Sequence, residues 1–397
     1  MNGNLITNCC ICGSEVATKK ILPYRDFLGL DIEIYNVHIA RCDQCGFIFY
    51  QNPLTDEQLE NRYKNEACNE FDSDDYIVTG EDNYARRCHR QKHFIEENIS
   101  DSLANEGYDS ILEIGAASGY NLSLYSDKRR LGIEPSALNC KLAKKNYNVE
   151  MFNGLWSEYF AGNRGETFDL VFMSHMLEHI VNPMKFIREC AALCNRYMFI
   201  EVPCFDIKFL EEPYGMFHEE HINFFTIQSL STLMRNAGFS MLNAAIVFEP
   251  QNLIPNSYPA LSSIWKKSVD SKPIYNSGDC FERYIAENEL LLQRVREKIN
   301  QIPSDEKLAL WGIAHHVGML LANTSLADKN IVRVYDSNKR KQGVKVMDIP
   351  IKPFDKADVL SGEVEAILIT SYKAQRAISK VIEEMQVPCK VYKLYDL

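Results

Sequence analysis

The sequence predicts an α/β protein in three consecutive parts: a small cysteine-bearing module, a central α/β core and a second, smaller α/β unit. Three observations carry this. Two Cys-x-x-Cys-Gly units stand at Cys9–Gly13 and Cys42–Gly46. An apolar strand at Ile111–Ile114 runs into a Gly115-x-x-x-Gly119 turn, a helix and a second strand ending in Glu134. A further strand–glycine–helix pattern begins at Leu308. The expected spans are 1–55 for the module, 56–105 for a helical segment and 106–248 for the core. A crossing segment with a linker helix follows at 249–300, and the second α/β unit occupies 301–397.

The bulk numbers suit such a chain. Its 397 residues are 46% hydrophobic and 24% charged, ordinary globular proportions that leave room for several domains. A formal net charge of -11 argues against a nucleic-acid-wrapping surface, which needs a clustered basic face. A small anionic substrate needs only a local pocket and stays open. No apolar run reaches membrane-spanning length, and MNGNLITNCC has neither the basic nor the apolar region of a signal peptide. Thirteen cysteines without an export signal point to a reducing compartment, so the expected location is cytoplasmic, with no membrane partner.

In the module, each Cys-x-x-Cys puts two thiolates on a tight turn, and the following glycine supplies the positive φ that such a turn needs. Four sulfurs suit tetrahedral zinc, which adds folding energy that so short a segment lacks. Cys9, Cys12, Cys42 and Cys45 are the expected ligands, with Cys10 an ambiguous neighbour. A closed four-cysteine site holds the fold and does no chemistry. Between the units, IYNVHIARC alternates as a strand. After Pro53 the pattern turns helical, with Thr55 and Gln58 spaced as a capping box, and a second helix runs from Asn83 to Glu97 carrying Tyr84, Arg86, Arg87 and Arg90.

In the core, glycine is needed where a strand turns sharply into a helix and where a ligand packs on bare backbone. Glu134 falls about one βαβ unit beyond the first strand, where nucleoside-binding folds place an acid for ribose hydroxyls. The turn lacks the full GxGxxG of a pyrophosphate site. Glu113 stands just before it instead, where a carboxylate would repel pyrophosphate and organise a cationic amino-acid ligand. Downstream come an apolar strand, Phe168–Ser174, and the loop His175-Met-Leu-Glu-His179.

This strand-E-x-G-x-x-x-G-helix-strand-E pattern resembles the class I S-adenosylmethionine-dependent methyltransferases. The resemblance implies that Glu113, Gly115, Gly119, Glu134 and Ser174 face the methyl donor, with Asn153 near its adenine. Methyl transfer needs in-line geometry, a dry pocket, and a base where the nucleophile carries a proton. After a fifth strand, YMFIEVP, the stretch Glu212–Thr226 gathers histidines, acids and aromatics, and Ser229 is read as the cap of the helix beyond. Histidine has a suitable pKa for the base, and an adjacent carboxylate can fix its tautomer.

Glu220-His221 before Phe224-Phe225, with His179 and the four-cysteine module, resembles the nucleotide-sugar C-methyltransferases of deoxysugar pathways. That resemblance implies His221 as base, Glu220 as its partner or a sugar-hydroxyl ligand, His179 as a second substrate contact and Tyr84 as an aromatic entering the site. His218 and Glu219 are read as loop surface, Tyr214 stays undecided, and a hydrogen bond from His175 to backbone is weighed equally with catalysis. The implied partner is a small molecule, a nucleotide sugar. Alternatives are O- or N-methylation of another sugar, an NAD-dependent sugar oxidoreductase, or a non-catalytic binding protein.

Residues 249–273 read as an extended crossing segment, and Phe281–Ile299 as a helix with apolar positions at helical spacing. Leu308–Gly318, IVRVYDSN, EAILITS, a helix near 374–385 and CKVYKLYDL make the second βα layout, a Rossmann-like unit that shapes the substrate pocket. His315 and His316 at a helix start are candidate phosphate contacts, because helix N-termini attract anions.

Overall fold

A computed structural model describes residues 5–25, 34–53, 77–78, 82–100, 107–163, 165–207, 212–217, 221–249, 258–268 and 278–396. The strands among them form three sheets. The helix expected from Thr55 lies outside the described residues.

The N-terminal sheet joins β1 (Thr18–Arg25), β2 (Ile34–Arg41) and β3 (Ile48–Tyr50) to β9 (Asn223–Phe224). β1 and β2 pair antiparallel, and Tyr35, Val37 and Ile39 turn inward on alternate positions as the sequence pattern requires. β9 belongs by sequence to the loop after the fifth core strand, yet it pairs antiparallel with β3. The cysteine module is thereby stitched to the core.

The central sheet runs β10-β11-β8-β7-β4-β5-β6. β4 (Ser110–Ile114), β5 (Arg129–Glu134), β6 (Met151–Asn153), β7 (Phe168–Ser174) and β8 (Cys194–Pro203) are parallel. β4 is buried at all five residues, the continuous burial expected of a parallel strand covered on both faces. From β4 the chain winds outward through β5 and β6, then returns to β7 on the other side. Ligand crevices open at such a reversal, outside the carboxyl ends of the strands.

β10 (Phe239–Glu249) and β11 (Tyr258–Lys267) close the far edge as an antiparallel pair, with β11 also antiparallel to β8. The stretch read as a crossing segment thus contributes a sheet strand. Its LSSIW run does not alternate cleanly, so it carried less signal than its proline- and asparagine-bearing flanks.

The core helices are α1 (Asn83–Ser100), α2 (Tyr120–Ser123), α3 (Ala137–Tyr147), α4 (Trp156–Gly162), α5 (Pro183–Leu193) and α6 (Ile227–Asn236). Ser136 caps α3 by accepting from the Asn139 amide, and Asn182 caps α5 ahead of Pro183. At α6 the cap is Thr226 rather than Ser229. Ser229 sits three residues in: its amide donates to Thr226 Oγ1 and its hydroxyl accepts from the Thr226 amide, a reciprocal capping box.

After α7 (Cys280–Asn300), the third sheet runs β14-β15-β13-β12-β16-β17. Its members are β12 (Leu308–Trp311), β13 (Ile331–Tyr335), β14 (Lys345–Val346), β15 (Ile349–Lys352), β16 (Ala366–Ile369) and β17 (Lys390–Lys393). β13, β12, β16 and β17 are parallel, with α8 (His315–Asn323), α9 (Lys356–Leu360) and α10 (Gln375–Glu384) as connections, the expected Rossmann-like layout.

His316 is not available to a phosphate. It is buried, hydrogen-bonded to Tyr395, and driven down to about 3 by burial, so it stays neutral. One apolar cluster runs from Leu22 and Tyr24 through Phe217 and Phe224 to Val317 and Leu368, joining the N-terminal sheet to the C-terminal unit. Among the described residues, no helix is long and apolar enough to cross a membrane.

Candidate active site

A cavity of about 530 Å³ opens at the carboxyl ends of β4, β5 and β7, roofed by α1. That is the size class of a site for a drug-sized ligand. Six of the residues singled out from the sequence line it: Tyr84, Glu113, Gly115, Glu134, Ser174 and His179. Two others stand behind the wall. Asn153 donates its side-chain amide to the carbonyls of Glu134 and Pro135, bracing the β5–β6 ends. Gly119 has φ +74 and would press an added Cβ to 2.7 Å from the Ala143 Cβ, so it serves helix packing.

The turn after β4 is built for backbone approach. Gly115 has φ +75, a conformation that disfavours other residues even though a Cβ there would meet Met176 only at 3.5 Å. Ala117 also adopts a left-handed conformation, φ 45, and its amide donates to Glu134 Oε2 at 3.0 Å. The Ser136 amide donates to Glu134 Oε1 at 2.9 Å, so two backbone donors orient this carboxylate across the crevice.

Glu113 is 4% exposed. One oxygen accepts from Asn121 Nδ2 at 3.1 Å, and the other has no hydrogen-bond partner among the described residues. Burial, aided by Glu134, pushes its carboxyl up to about 8. A carboxyl in that condition calls for a cation. At the opposite end, Leu155, Trp156 and Phe186 form an apolar slot, with Trp156 Nε1 donating to Glu189 Oε2 at 2.8 Å.

Beneath the cavity lies a buried ionic network with no local signature in the sequence. Glu201, at the end of β8, is fully buried and takes a two-pronged contact from Arg90 at 2.9 and 3.1 Å. Gln91 donates to Glu201 at 2.7 Å and to Ser174 Oγ at 2.8 Å. Burial alone would raise Glu201, but His175 and Arg90 hold it well below the usual carboxylate range.

His175 has φ 50 and turns its ring between two acids, 3.4 Å from Glu178 and 3.7 Å from Glu201. Burial pulls the imidazole down, yet the Glu178 and Glu201 carboxylates prevail and push it up to about 9. Its ring therefore serves an ion-pair network and not the backbone hydrogen bond considered from sequence.

His179 and His221 meet edge to face, with ring centroids 4.9 Å apart. Each places Nε2 3.9 Å from the same Glu178 oxygen. Main-chain bonds fix this meeting. Ile222 donates to the Glu178 carbonyl and accepts from Tyr50 of β3, both at 2.9 Å, while Asn223 Nδ2 donates to the carbonyls of Leu177 and Ile180. Glu220, expected beside His221, lies outside the described residues, as do His218 and Glu219. Tyr214 is buried and donates to Glu289 Oε1 at 2.7 Å, a structural duty away from the cavity.

In the N-terminal module, the Cys9 and Cys45 sulfurs lie 3.6 Å apart and those of Cys12 and Cys42 3.5 Å apart. All four sit within 4.8 Å of one another. Gly13 and Gly46 take φ +77 and +73 and return their amides to the carbonyls of Cys9 and Cys42.

The five parallel strands, the reversal between β4 and β7 and the antiparallel closing pair frame residues 84–244, which match a family described as methyltransferase domain. Over that span the chain is similar to a methyltransferase domain. Solved structures similar to this chain include magnesium protoporphyrin IX methyltransferase from Synechocystis PCC 6803 with bound S-adenosylhomocysteine. It is 12% identical, covers 54% of this chain and 100% of its own, and has a TM-score of 0.38. A SAM-dependent methyltransferase from Archaeoglobus fulgidus is 14% identical over 54% of this chain and 100% of its own, TM-score 0.35. A possible histamine N-methyltransferase from Thermotoga maritima is 20% identical over 46% and 93%, TM-score 0.33. No curated protein sequence matches the chain.

Within the methyltransferase domain, sequence reasoning passed over Gln91, Glu178 and Glu201. Glu178 had a signal, since it lies three residues from His175 and beside His179. Glu201 had little, being one acid in an apolar strand.

Proposed function

We propose that the chain methylates a nucleotide-linked keto-sugar, with His221 accepting the proton and His179 contacting the substrate. The observation that carries this reading is the pair of imidazoles meeting beside the cavity on a buried carboxylate. Such a pair suits a substrate rich in hydroxyls and offers an imidazole as base. The residues fit the donor: Glu113 offers a desolvated oxygen to its ammonium, Glu134 faces its ribose, and Leu155, Trp156 and Phe186 take its adenine. When bound there, S-adenosylmethionine supplies an electrophilic methyl group. Tyr84 and Arg87 of α1 line the cavity and help exclude water. His221 removes a proton from a carbon only where a neighbouring carbonyl has acidified it, because an unactivated C–H is no nucleophile at neutral pH.

The cysteine cluster fits zinc. Tetrahedral zinc–thiolate bonds place sulfurs about 3.8 Å apart, close to the spacings of 3.5 and 3.6 Å. Hydrogen bonds from Cys45 and Cys9 pull Cys42 well below the usual thiol range, and Cys42 in turn pushes Cys9 up to about 12. Packed thiols that compete in this way are stabilised together by a cation. Zinc there holds β2 and β3 and takes no part in the transfer.

The test is incubation of the zinc-replete protein with methyl-labelled S-adenosylmethionine and a panel of nucleotide keto-sugars, with the label located by NMR. Label on a sugar carbon beside the carbonyl supports the reading. Label on oxygen or nitrogen replaces it with another sugar methylation, and no transfer to any sugar refutes it.

A further inference from the structure

Resting on that reading of the imidazole pair, we infer that Glu178 is a positioning residue whose carboxylate takes the Nε2–H of both His179 and His221. Glu178 is 0% exposed, and neither of its oxygens has a hydrogen-bond partner among the described residues. A buried carboxylate without donors is costly, by about 1–3 kcal/mol or more for each unmade bond. Three imidazoles surround it: His175 Nδ1 at 3.4 Å, His179 Nε2 at 3.9 Å and His221 Nε2 at 3.9 Å.

These three do different work. His175, shared with Glu201 and driven up to about 9, brings the charge that offsets the buried acid. With Arg90 on Glu201, the network holds two carboxylates and two cations. His179 and His221 then need only orientation, which a carboxylate supplies by accepting an N–H and fixing the tautomer. The 3.9 Å spacings close by about 1 Å when substrate seats the rings, the tightening common in catalytic hydrogen bonds. The backbone already brackets the group, because Ile222 donates to the Glu178 carbonyl and Asn223 ties β9 to the turn that carries Glu178 and His179.

The same donor set invites comparison with a two-histidine, one-carboxylate metal site. Donors bound at about 2.0–2.2 Å to one ion stand about 3–3.5 Å apart, whereas both imidazole nitrogens lie 3.9 Å from the carboxylate oxygen. The third imidazole also crowds that oxygen at 3.4 Å. These distances favour a carboxylate–imidazole hub.

Histidine-labelled full-length protein, loaded with zinc and S-adenosylhomocysteine, is examined by long-range ¹⁵N–¹H NMR, with His179→Gln and His221→Gln variants assigning the signals. The wild type is expected to show Nε2–H at both rings, and Nδ1–H at either overturns the proposal. Glu178→Gln is expected to give mixed tautomers, unchanged zinc and S-adenosylhomocysteine affinity within about threefold. Unchanged tautomers overturn the proposal, as does a second metal equivalent that Glu178→Gln loses. Where a nucleotide sugar is turned over, kcat falls about 10²-fold in Glu178→Gln with KM nearly constant, within the span general bases contribute. If the wild type methylates no sugar, the substrate reading fails while the tautomers still judge Glu178. Should Glu178→Gln not fold, the wild-type tautomers decide alone.

Discussion

Glu113 sets up a proton-linked binding equilibrium that can be measured without knowing the methyl acceptor. Its carboxyl stands at about 8, against an ordinary 4.5, because burial disfavours the anion and Glu134 adds repulsion. At pH 7 such a group is about nine-tenths protonated. The amino-acid ammonium of S-adenosylhomocysteine, placed against the unpartnered oxygen, favours the carboxylate and pulls its pKa down. Binding therefore releases close to one proton at pH 7, about half a proton near pH 8, and almost none above pH 9. The cost of deprotonation at pH 7 is about 1.4 kcal/mol, so affinity rises roughly tenfold per unit up to pH 8 and then levels.

Calorimetry in buffers of different ionisation enthalpy reads the released proton as a slope. Glu113→Gln should abolish the slope and weaken binding by about 10- to 100-fold at pH 8.5, with a smaller loss at pH 6, where the wild-type carboxyl must first be deprotonated. A buffer-independent enthalpy, or an equal loss in Glu113→Gln at every pH, would refute the assignment of this oxygen to the ammonium.

Further outcomes follow from the same geometry. Cys42→Ser should lower zinc content and cut turnover at least tenfold, because β3 holds the strand beside His221; full turnover in zinc-free protein would contradict this. Gly119→Ala should cost about 2–4 kcal/mol, seen as a lower urea midpoint, from the φ of +74 and the 2.7 Å approach to Ala143. The ion pairs of His175 are fully present below its ordinary 6.5 and are lost as pH rises through about 9. Glu113, whose carboxyl is raised, adds a cost that grows over the range from 4.5 to about 8. Both signs agree, so the melting temperature of ligand-free protein should fall between pH 6.5 and 9; a flat profile would count against both. Arg90→Leu removes the two-pronged partner of the buried Glu201 carboxylate, leaving it Gln91 and His175, and should cost about 3 kcal/mol by denaturant titration.

Much of the fold was legible because its signals are local. A run such as SILEI followed by glycine has few conformational options, and paired Cys-x-x-Cys-Gly units have fewer. The cavity wall at Glu113, Gly115 and Glu134 was legible for the same reason, since these residues lie on the turn and strand ends that the pattern defines. What stayed hidden depends on pairing across the chain. β9 has two residues and no periodicity of its own, and nothing local says that Asn223 will pair with Phe49. Glu201 and Arg90 are 111 residues apart and meet only because α1 lies over the ends of the sheet. β11 was masked by its proline- and asparagine-bearing flanks. His316 looked like an anion contact because a helix N-terminus is visible in sequence, whereas burial against Tyr395 is not.

The pairing of β3 with β9 changes what the cysteine module is for. A closed zinc site does no chemistry, and from sequence it reads as an independent clip. Yet the module supplies the strand on which the His221 segment rests, through Tyr50 and Ile222, while Ile222 also grips the turn that carries Glu178 and His179. On its other side, the N-terminal sheet shares one apolar cluster with the C-terminal unit, and Asn323 of α8 donates to the Pro23 carbonyl of β1. The His221 side of the cavity is thus assembled from three distant stretches of chain, whereas Glu113, Gly115 and Glu134 come from one continuous βαβ stretch. A perturbation of the module should therefore disable transfer by releasing the His221 segment, and full turnover in a protein that has lost the β3–β9 pairing would refute that dependence.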